Sequence, residues 1–350
     1  MASNLIRDRI SELVESGMNE LRKEGVVKLA TTPEIIIERP SNQEHGDFAT
    51  NLPLRLSRST NLKPMELAEK LADKIPVESS IDRIEAAHPG FVNFYLSDSW
   101  VQTQVDVVRH WGASYGNLDV GNDREMMVEF VSVNPTGPVH VGHARGAGLG
   151  SALANILTAA GYSVTREYYV NDAGSQMEAF YRSVYSRYME DLGFAHEFPS
   201  NGYQGDYILE IAREIISSEG DKFTAMDEHE AIKEIGAIAR EKMVSVIASD
   251  LEGIGVRFDN WFSEHSLYDS NEYDQAMQIL RDKDYLTERE NALWFASTLL
   301  GEDKDNVVVR SSGEPTYFAS DIAYHYNKFS LRRFEKVINI WGADHQGHVP

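Results

Sequence analysis

Residues 126–170 constrain the fold more than any other part of the sequence. The run MMVEFVSV at 126–133 is typical of a buried strand, and SVTREYYV at 163–170 alternates like a second strand. Between them, residues 144–161 are rich in small side chains and end at Gly161, which predicts a helix. A strand, a helix and a second strand in so short a stretch form a βαβ unit. We therefore predict an α/β fold with a Rossmann-like, doubly wound parallel sheet.

The rest of the chain divides around a predicted linker at 112–125, which holds three glycines and lacks apolar periodicity. Residues 1–115 are predicted to form a small α+β domain, and residues 116–350 a larger α/β domain. Within the larger domain, helical periodicity predicts a helical insertion at about 176–290. Further predicted elements are helices at 3–24 and 64–75, strands at 91–95, 306–310 and 336–341, and a short helix ending near Tyr326.

Composition excludes several classes of protein. The chain has no cysteine, which rules out disulfide frameworks and cysteine-ligated metal sites, and we predict no metal site. Its net charge is −22, and residues 201–290 alone hold 9 basic and 21 acidic side chains, which argues against a general nucleic-acid-binding surface. No apolar run approaches the ~18 residues of a membrane span, and the N-terminal helix carries acidic residues, unlike a targeting peptide. We therefore expect a soluble, cytoplasmic monomer.

Two histidines, His140 and His143, flank Gly142 between the first strand of the βαβ unit and its helix. A helix N-terminus presents unpaired N–H groups and the positive end of the helix dipole, so it attracts phosphate. Gly142 has no side chain to block a ligand that approaches the backbone. Imidazole donors can stabilise phosphate oxygens that gain charge in a transition state. The motif therefore indicates phosphate chemistry, with both histidines as catalytic donors.

Three other motif types and a purely structural turn are alternatives to phosphate chemistry at this loop. A dinucleotide fingerprint needs G-x-G-x-x-G after the strand, whereas Gly146, Gly148 and Gly150 lie inside the predicted helix. A phosphate loop of the G-x-x-x-x-G-K-[ST] type is absent, and a histidine metal pair lacks adjacent Glu-x-x-His partners. Taken alone, two polar histidines in a turn explain the motif about as well as catalysis does, because short motifs give many false positives.

The surrounding sequence resembles the arginyl-tRNA synthetase family of class I aminoacyl-tRNA synthetases. The likeness runs in the family's order through HGDFATNLPLRLS, HPGFVNFYL, VEFVSVNPTGPVHVGHARGAGLGSALANIL, YYVNDAGSQ, NALWFAST, EPTYFASDIAYHYNKF and VINIWGADHQGHVP. The third stretch resembles the family's first signature, with His140–His143 as its HIGH-type motif. Several motifs in one order are far more specific than one short motif.

The resemblance implies an enzyme that activates L-arginine with ATP, taken up with Mg²⁺, and esterifies tRNA(Arg). It implies that residues 1–115 are an additional tRNA-binding domain and residues 116–350 a catalytic domain. The ATP-binding positions implied are Pro138, His140, Gly142 and His143, of which the two histidines are catalytic. The arginine-binding positions implied are Glu129, Asn134, Tyr317, Asp321 and His345. A second rank of site residues comprises Asn171, Asp172, Gly174 and Asp344, and the tRNA contacts implied are Phe48 and Asn51.

The sequence departs from the family pattern at its end. It stops at Pro350, before the family's second, KMSK-type signature and its helical anticodon-binding domain, and residues 135–139 carry no compensating lysine. We therefore expect a fragment with an incomplete catalytic domain and impaired activity of its own. Two other functions stay open at this point: a nucleotidylyltransferase that uses the H-x-G-H motif, and a non-catalytic RNA-binding paralogue.

Overall fold

A computed structural model describes residues 6–29 and 33–342 of the chain. The chain divides into two units, residues 1–118 and 119–350, and each has its own hydrophobic core. The boundary between Leu118 and Asp119 lies inside the predicted linker. Among the residues described, no helix is both long enough and apolar enough to span a membrane.

The first unit packs helices against a small antiparallel sheet. Its elements are α1 (Ile6–Lys23), β1 (Phe48–Thr50), α2 (Leu52–Thr60), α3 (Pro64–Lys74), β2 (Ile81–Ala87), β3 (Phe91–Leu96) and α4 (Asp98–Trp111). The strand order is β1-β3-β2, and α1 buries a stripe that includes Ile10, Leu13 and Val14. Helix α4 was not predicted. It begins where the Ser97 side chain accepts a hydrogen bond from the Trp100 N–H, and it buries none of its residues.

The second unit combines a parallel sheet, a layer of helices and a smaller antiparallel sheet. Its elements are β4 (Glu125–Glu129), α5 (Val141–Ala159), β5 (Ser163–Val170), α6 (Ser175–Asp191), α7 (Asp206–Glu219), α8 (Glu228–Gly253), β6 (Asn260–Ser263), α9 (Ser266–Asp269), α10 (Glu272–Asp282), β7 (Leu286–Arg289), β8 (Ala292–Phe295), β9 (Asn306–Val309), α11 (Tyr317–Tyr326) and β10 (Lys336–Asn339). The parallel sheet has the order β10-β4-β5-β6, which confirms the predicted α/β class. The strand order reverses at β4, and α/β folds bind ligands beyond the carboxyl ends of strands at such a point.

The βαβ unit forms as the sequence predicts, with close packing behind it. Helix α5 joins β4 to β5, which pair in parallel. A Cβ atom at Gly150 would lie 2.2 Å from Cγ of Phe130, so only glycine lets α5 approach the chain that follows β4. The helix begins at Val141, three residues earlier than predicted, and this places His140 and His143 in its first turn.

Two local predictions were wrong: the extent of the helical insertion and the end of the first strand of the βαβ unit. The helical insertion ends at Gly253, because the four residues of β6 join the parallel sheet beside β5. Strand β9 forms at the predicted strand and pairs antiparallel with β8 in the smaller sheet. Strand β4 ends at Glu129 rather than at residue 133, because Val131 and Ser132 adopt positive φ angles of 68° and 43°. Short strands show too few alternations for a pattern to define their ends or partners.

Candidate active site

The site is built outward from the carboxyl end of β4. Glu129 is the last residue of this strand and lies between β10 and β5 in the sheet. Its side chain is 7% exposed, and its Oε2 accepts a hydrogen bond of 2.7 Å from Lys328 Nζ. A carboxylate this buried needs a cation or several donors, and Lys328 supplies the cation. Glu129, the predicted arginine-binding acid, therefore lies where the strand order reverses. One of its two carboxylate oxygens already accepts a hydrogen bond.

A strained loop leads from Glu129 to the helix. Val131 is a β-branched residue with φ of 68°, a conformation that costs of order 1–3 kcal/mol and persists only where neighbours enforce it. Two bonds from β5 do so: Tyr169 N–H donates to Ser132 Oγ at 3.1 Å, and Tyr168 Oη donates to the Val133 carbonyl at 2.8 Å. The loop thereby brings Asn134 to the start of α6, where its Nδ2 donates to Gln176 Oε1 at 2.6 Å.

The two motif histidines cap helix α5. His140 is the N-cap residue, and its Nδ1 accepts from the Gly142 N–H at 3.1 Å. His143 Nδ1 accepts from the His140 N–H at 3.3 Å, and the rings stack with centroids 3.7 Å apart. A neutral imidazole whose Nδ1 accepts carries its proton on Nε2. Each ring therefore keeps an Nε2–H donor for an external acceptor such as phosphate.

The structure changes the interpretation of Gly142. A Cβ atom there would lie 2.8 Å from His140 Cε1, so glycine makes room for the His140 cap. The Gly142 N–H is used inside the motif, where it donates to His140 Nδ1. Partial burial, and then the neighbouring His140, lower the pKa of His143. The lowered pKa favours the neutral form of His143, in which Nε2–H is the remaining donor of the ring.

Helix α11 presents a row of functional groups one turn apart. Tyr317 is its first residue and is 54% exposed, and Asp321 and His325 follow at intervals of four. His325 Nδ1 lies 2.9 Å from the Asp321 carbonyl and 3.4 Å from its Oδ1. The hydrogen bond with the Asp321 side chain raises the pKa of His325, although burial opposes the shift. Asp321 is thus half exposed and paired with a titratable neighbour.

Sequence reasoning missed one acidic residue of this site, Glu264. It follows β6, is 3% exposed and lies near the side chains of Tyr169 and Ser320. Burial raises the pKa of Glu264. Burial is also the largest cause of the raised pKa of Tyr169, followed by the negative charges of Glu264, Asp321 and Glu129. All three carboxylates therefore lie within electrostatic range of Tyr169. The only signal in the sequence is an acid at the end of a strand too short to be predicted.

The segment 171–174 supports this cluster from β5. Asn171, with its amide nitrogen as donor, bonds Glu264 Oε2 at 3.0 Å. Asp172 accepts from Ser263 Oγ at 2.6 Å and from the His265 N–H at 3.0 Å, so it joins the ends of β5 and β6. It also pairs with Arg240 of α8 at 3.2 Å. Asp172 is thus a structural residue that joins the ends of β5 and β6 beside the site.

Gly174 brings the same segment against Tyr317. It has φ of +86°, which favours glycine, and a Cβ atom there would lie 3.0 Å from Tyr317 Oη. The structure therefore places Glu129, Glu264, Asp321 and Tyr317 around the carboxyl edge of the parallel sheet. Of the other predicted residues, Asp344 and His345 lie outside the described residues. Pro138 is exposed in the loop before the motif.

Phe48 does not have the exposure that stacking on a base requires. Its side chain is 4% exposed and packs in the core of the first unit, opposite Phe94 in the sheet. A tRNA contact by Phe48 stays a prediction, and the position of the ring in the core favours a structural role. Asn51 is the N-cap residue of α2 but makes no capping bond, and its buried Oδ1 has no hydrogen-bond partner among the residues described.

Phe48→Ala should therefore destabilise the first unit by about 3–5 kcal/mol, the cost of emptying a buried aromatic site. Hydrogen exchange of α1 and α3 amides under increasing urea measures this locally. Trp111→Ala is the control, since Trp111 is 42% exposed on α4 and should change stability by no more than about 0.5 kcal/mol. A loss for Phe48→Ala no larger than that of the control would contradict the core assignment.

Comparison with known proteins assigns the class and then the family. Residues 110–349 match the family described as "tRNA synthetases class I (R), catalytic domain", which makes the chain a member of the class I aminoacyl-tRNA synthetases. Residues 2–96 match the "Arginyl tRNA synthetase N terminal domain". The chain belongs to the arginyl-tRNA synthetase family, as the resemblance of its motifs implies.

Individual relatives agree with this assignment. The chain is 50% identical over 344 residues to a protein of Dehalococcoides mccartyi named arginine–tRNA ligase, and 48% identical over 313 residues to one of Carboxydothermus hydrogenoformans with the same name. These matches cover 98% and 89% of the chain, but only 62% and 56% of the relatives. The Thermus thermophilus arginyl-tRNA synthetase structure superposes with a TM-score of 0.55 at 21% identity, over 93% of this chain and 54% of that one, and supports the fold alone.

Proposed function

We propose that the chain carries the arginine- and ATP-binding part of an arginine–tRNA ligase, which activates L-arginine with ATP and transfers it to tRNA(Arg). The observation that carries the proposal is the set of acidic side chains at the carboxyl edge of the parallel sheet, where Glu129 ends β4, Glu264 follows β6 and Asp321 lies on α11 with Tyr317. A guanidinium is always charged and offers five N–H donors in a plane, so it matches several carboxylates better than a lysine ammonium does.

Different residues of the proposed site bind the two ends of the arginine molecule. Glu129 and Asp321 bind the guanidinium, with Tyr317 beside it and Glu264 as a further acceptor. Asn134 and the segment that holds Asn171, Asp172 and Gly174 lie toward the amino-acid end. We also propose Asp344 and His345 as contacts. The number of negative charges favours a cationic side chain over any neutral one of the same size.

The ATP site lies at the start of α5. His140 and His143 donate Nε2–H bonds to phosphate oxygens as these gain charge, while Gly142 and Pro138 line the same turn. No group of three acidic or histidine side chains suited to a metal occurs within residues 6–29 and 33–342. Mg²⁺ commonly binds through substrate phosphates, so we propose that it enters as the ATP complex.

We extend the proposal to the remaining partners on the basis of the family to which the chain belongs. We propose that the first unit contacts tRNA(Arg), with Asn51 as the candidate side chain, because its Oδ1 lacks a partner among the residues described. An amide without an internal partner can pair with a base edge after a local rearrangement. We propose a cytoplasmic monomer, since transfer of arginine to tRNA serves protein synthesis.

The test is arginine-dependent exchange of pyrophosphate into ATP by the full-length protein, with its own tRNA(Arg) present. Exchange with arginine and not with lysine, followed by charging of the tRNA, supports the proposal. Arginine binding without exchange or charging would instead favour a non-catalytic RNA-binding paralogue. Nucleotidyl transfer to a different acceptor would favour the nucleotidylyltransferase.

Arginine affinity should depend on pH through His325. Its pKa is raised by Asp321, so at low pH the imidazolium pairs with this carboxylate and repels the guanidinium. Affinity should therefore rise as the pH increases through the pKa of His325, by about two- to fivefold, because a partly exposed ion pair contributes at most ~1 kcal/mol. Calorimetric titration with arginine between pH 6 and 8 measures this change in affinity. His325→Gln should flatten the profile, whereas the exposed His229→Gln should not; an unchanged profile in His325→Gln would refute the coupling.

A further inference from the structure

Two buried carboxylates stand side by side in the parallel sheet. Glu129 of β4 and Glu167 of β5 are register partners, and Glu167 is fully buried. One segment supplies a cationic partner for each of them. It follows α11 and comprises a π-helical turn at Asn327–Leu331 and the next residue, Arg332. Lys328 pairs with Glu129, and Arg332 pairs with both oxygens of Glu167. A π-helical turn is rare and often marks a functional site.

The ammonium of Lys328 is completely enclosed at this position. The residue is 0% exposed, and its Nζ donates to Glu129 Oε2 at 2.7 Å and to Asn339 Oδ1 at 3.1 Å. It also lies 3.8 Å from the centre of the Tyr324 ring, a cation–π distance. These three contacts come from β4, β10 and α11. The lysine is therefore fixed in position, with no freedom to act as a mobile donor to substrate.

The same contact leaves half of Glu129 unused. Lys328 holds Oε2, whereas Oε1 makes no hydrogen bond with any residue that the structure describes. A carboxylate offers about four acceptor positions on its two oxygens, so Oε1 keeps acceptor capacity that Lys328 does not use. A carboxylate arranged in this way can accept a second cationic donor without releasing the first.

We propose that Lys328 is a positioning residue for arginine recognition, which holds Glu129 through Oε2 and leaves its Oε1 for the guanidinium. This inference rests on the proposed function. The π-helical turn continues directly from α11, which carries Tyr317 and Asp321. The Lys328–Glu129 contact therefore also fixes α11 relative to the sheet, so both sides of the guanidinium pocket depend on it.

Removal of the Lys328 ammonium should lower the preference for arginine over an uncharged analogue, in addition to lowering the affinity for arginine. Without Lys328, the Glu129 carboxylate loses the donor that holds Oε2, and Oε1 no longer has a defined place in which to meet the planar guanidinium. A displaced carboxylate attracts the charged guanidinium less, whereas an uncharged group of the same shape gains little from that charge in either variant. Citrulline offers that comparison, because it replaces the guanidinium of arginine with a neutral urea group.

The experiment compares arginine and citrulline binding by competition calorimetry in the full-length protein. In Lys328→Met, arginine affinity should fall about tenfold or more while citrulline affinity stays within about threefold, so the selectivity ratio falls with arginine affinity. Lys242→Met is the matched control: it removes the same charge from the Lys242–Glu214 pair between α8 and α7 and should leave the ratio unchanged. Equal loss of both ligands in Lys328→Met would indicate a purely structural lysine and overturn the inference.

A second comparison keeps the test decisive if Lys328→Met does not fold. The double variant Glu129→Gln, Lys328→Met contains neither charge and should bind arginine at least as well as Glu129→Gln alone, which retains a buried unpaired ammonium. Weaker binding by the double variant would mean that Lys328 acts other than through Glu129, and would overturn the inference. If the wild-type protein binds no arginine, the proposed function fails first and this inference with it; if it binds arginine and the ratios do not move, only the inference fails.

Discussion

His140→Ala and His143→Ala should each slow arginine activation by about 10²-fold, with arginine affinity nearly unchanged. Each substitution removes an Nε2–H donor that acts on phosphate oxygens mainly in the transition state, so the rate falls and ground-state binding does not. Pyrophosphate exchange with tRNA present gives the rate, and calorimetry gives the affinity. Because the ring centroids are 3.7 Å apart and His143 Nδ1 accepts from the His140 N–H, the double variant should lose less than the product of the single losses.

A control is needed because His140 also caps α5, so alanine there should cost ~1 kcal/mol of helix stability. His140→Asn retains an acceptor for the Gly142 N–H but loses the imidazole. It should restore stability while the rate stays near that of His140→Ala. Recovery of the rate with asparagine would show that capping alone explains the effect, and unaffected exchange in both alanine variants would mean that the catalytic donors lie elsewhere.

Asp321→Asn should weaken arginine binding by about 2 kcal/mol, or ~30-fold. Loss of one partner of a buried charge pair costs about 2–5 kcal/mol, and the smaller value applies because the Asp321 side chain is half exposed. The same change should reduce the preference for arginine over lysine, since a planar guanidinium depends more on an acceptor in a defined place. Calorimetric titration with both amino acids measures the two effects.

Asp269→Asn is the matched control for this variant. Asp269 is an exposed acid of the same unit and likewise pairs with a histidine four residues away, His265. Its substitution should leave arginine affinity within about twofold. Equal arginine affinity in the wild type and in Asp321→Asn would remove Asp321 from the pocket. A comparable loss in both variants would indicate that only the net charge of the unit matters.

The sequence by itself predicted the elements whose signals are local. The alternation of residues 163–170 gave β5 with the bounds that the structure has, and small residues ending at Gly161 placed α5 after β4. Position in that unit also placed His140 and His143 at a helix N-terminus. The identities of Glu129, Tyr317 and Asp321 came from the resemblance to the family, and their roles remain predictions.

Only the tertiary structure decided which side chains meet. Lys328 lies 199 residues from Glu129 along the chain, so no periodicity or spacing could pair them. Glu264 enters the site because a four-residue strand joins the sheet, and Phe48 is buried because β3 and the helices of its unit enclose it. Local patterns report how a segment folds and which face is apolar, whereas burial, counter-ions and pocket composition depend on long-range packing. For this protein the sequence therefore determined the architecture around the motif, and the packing of distant segments determined which charges surround the pocket.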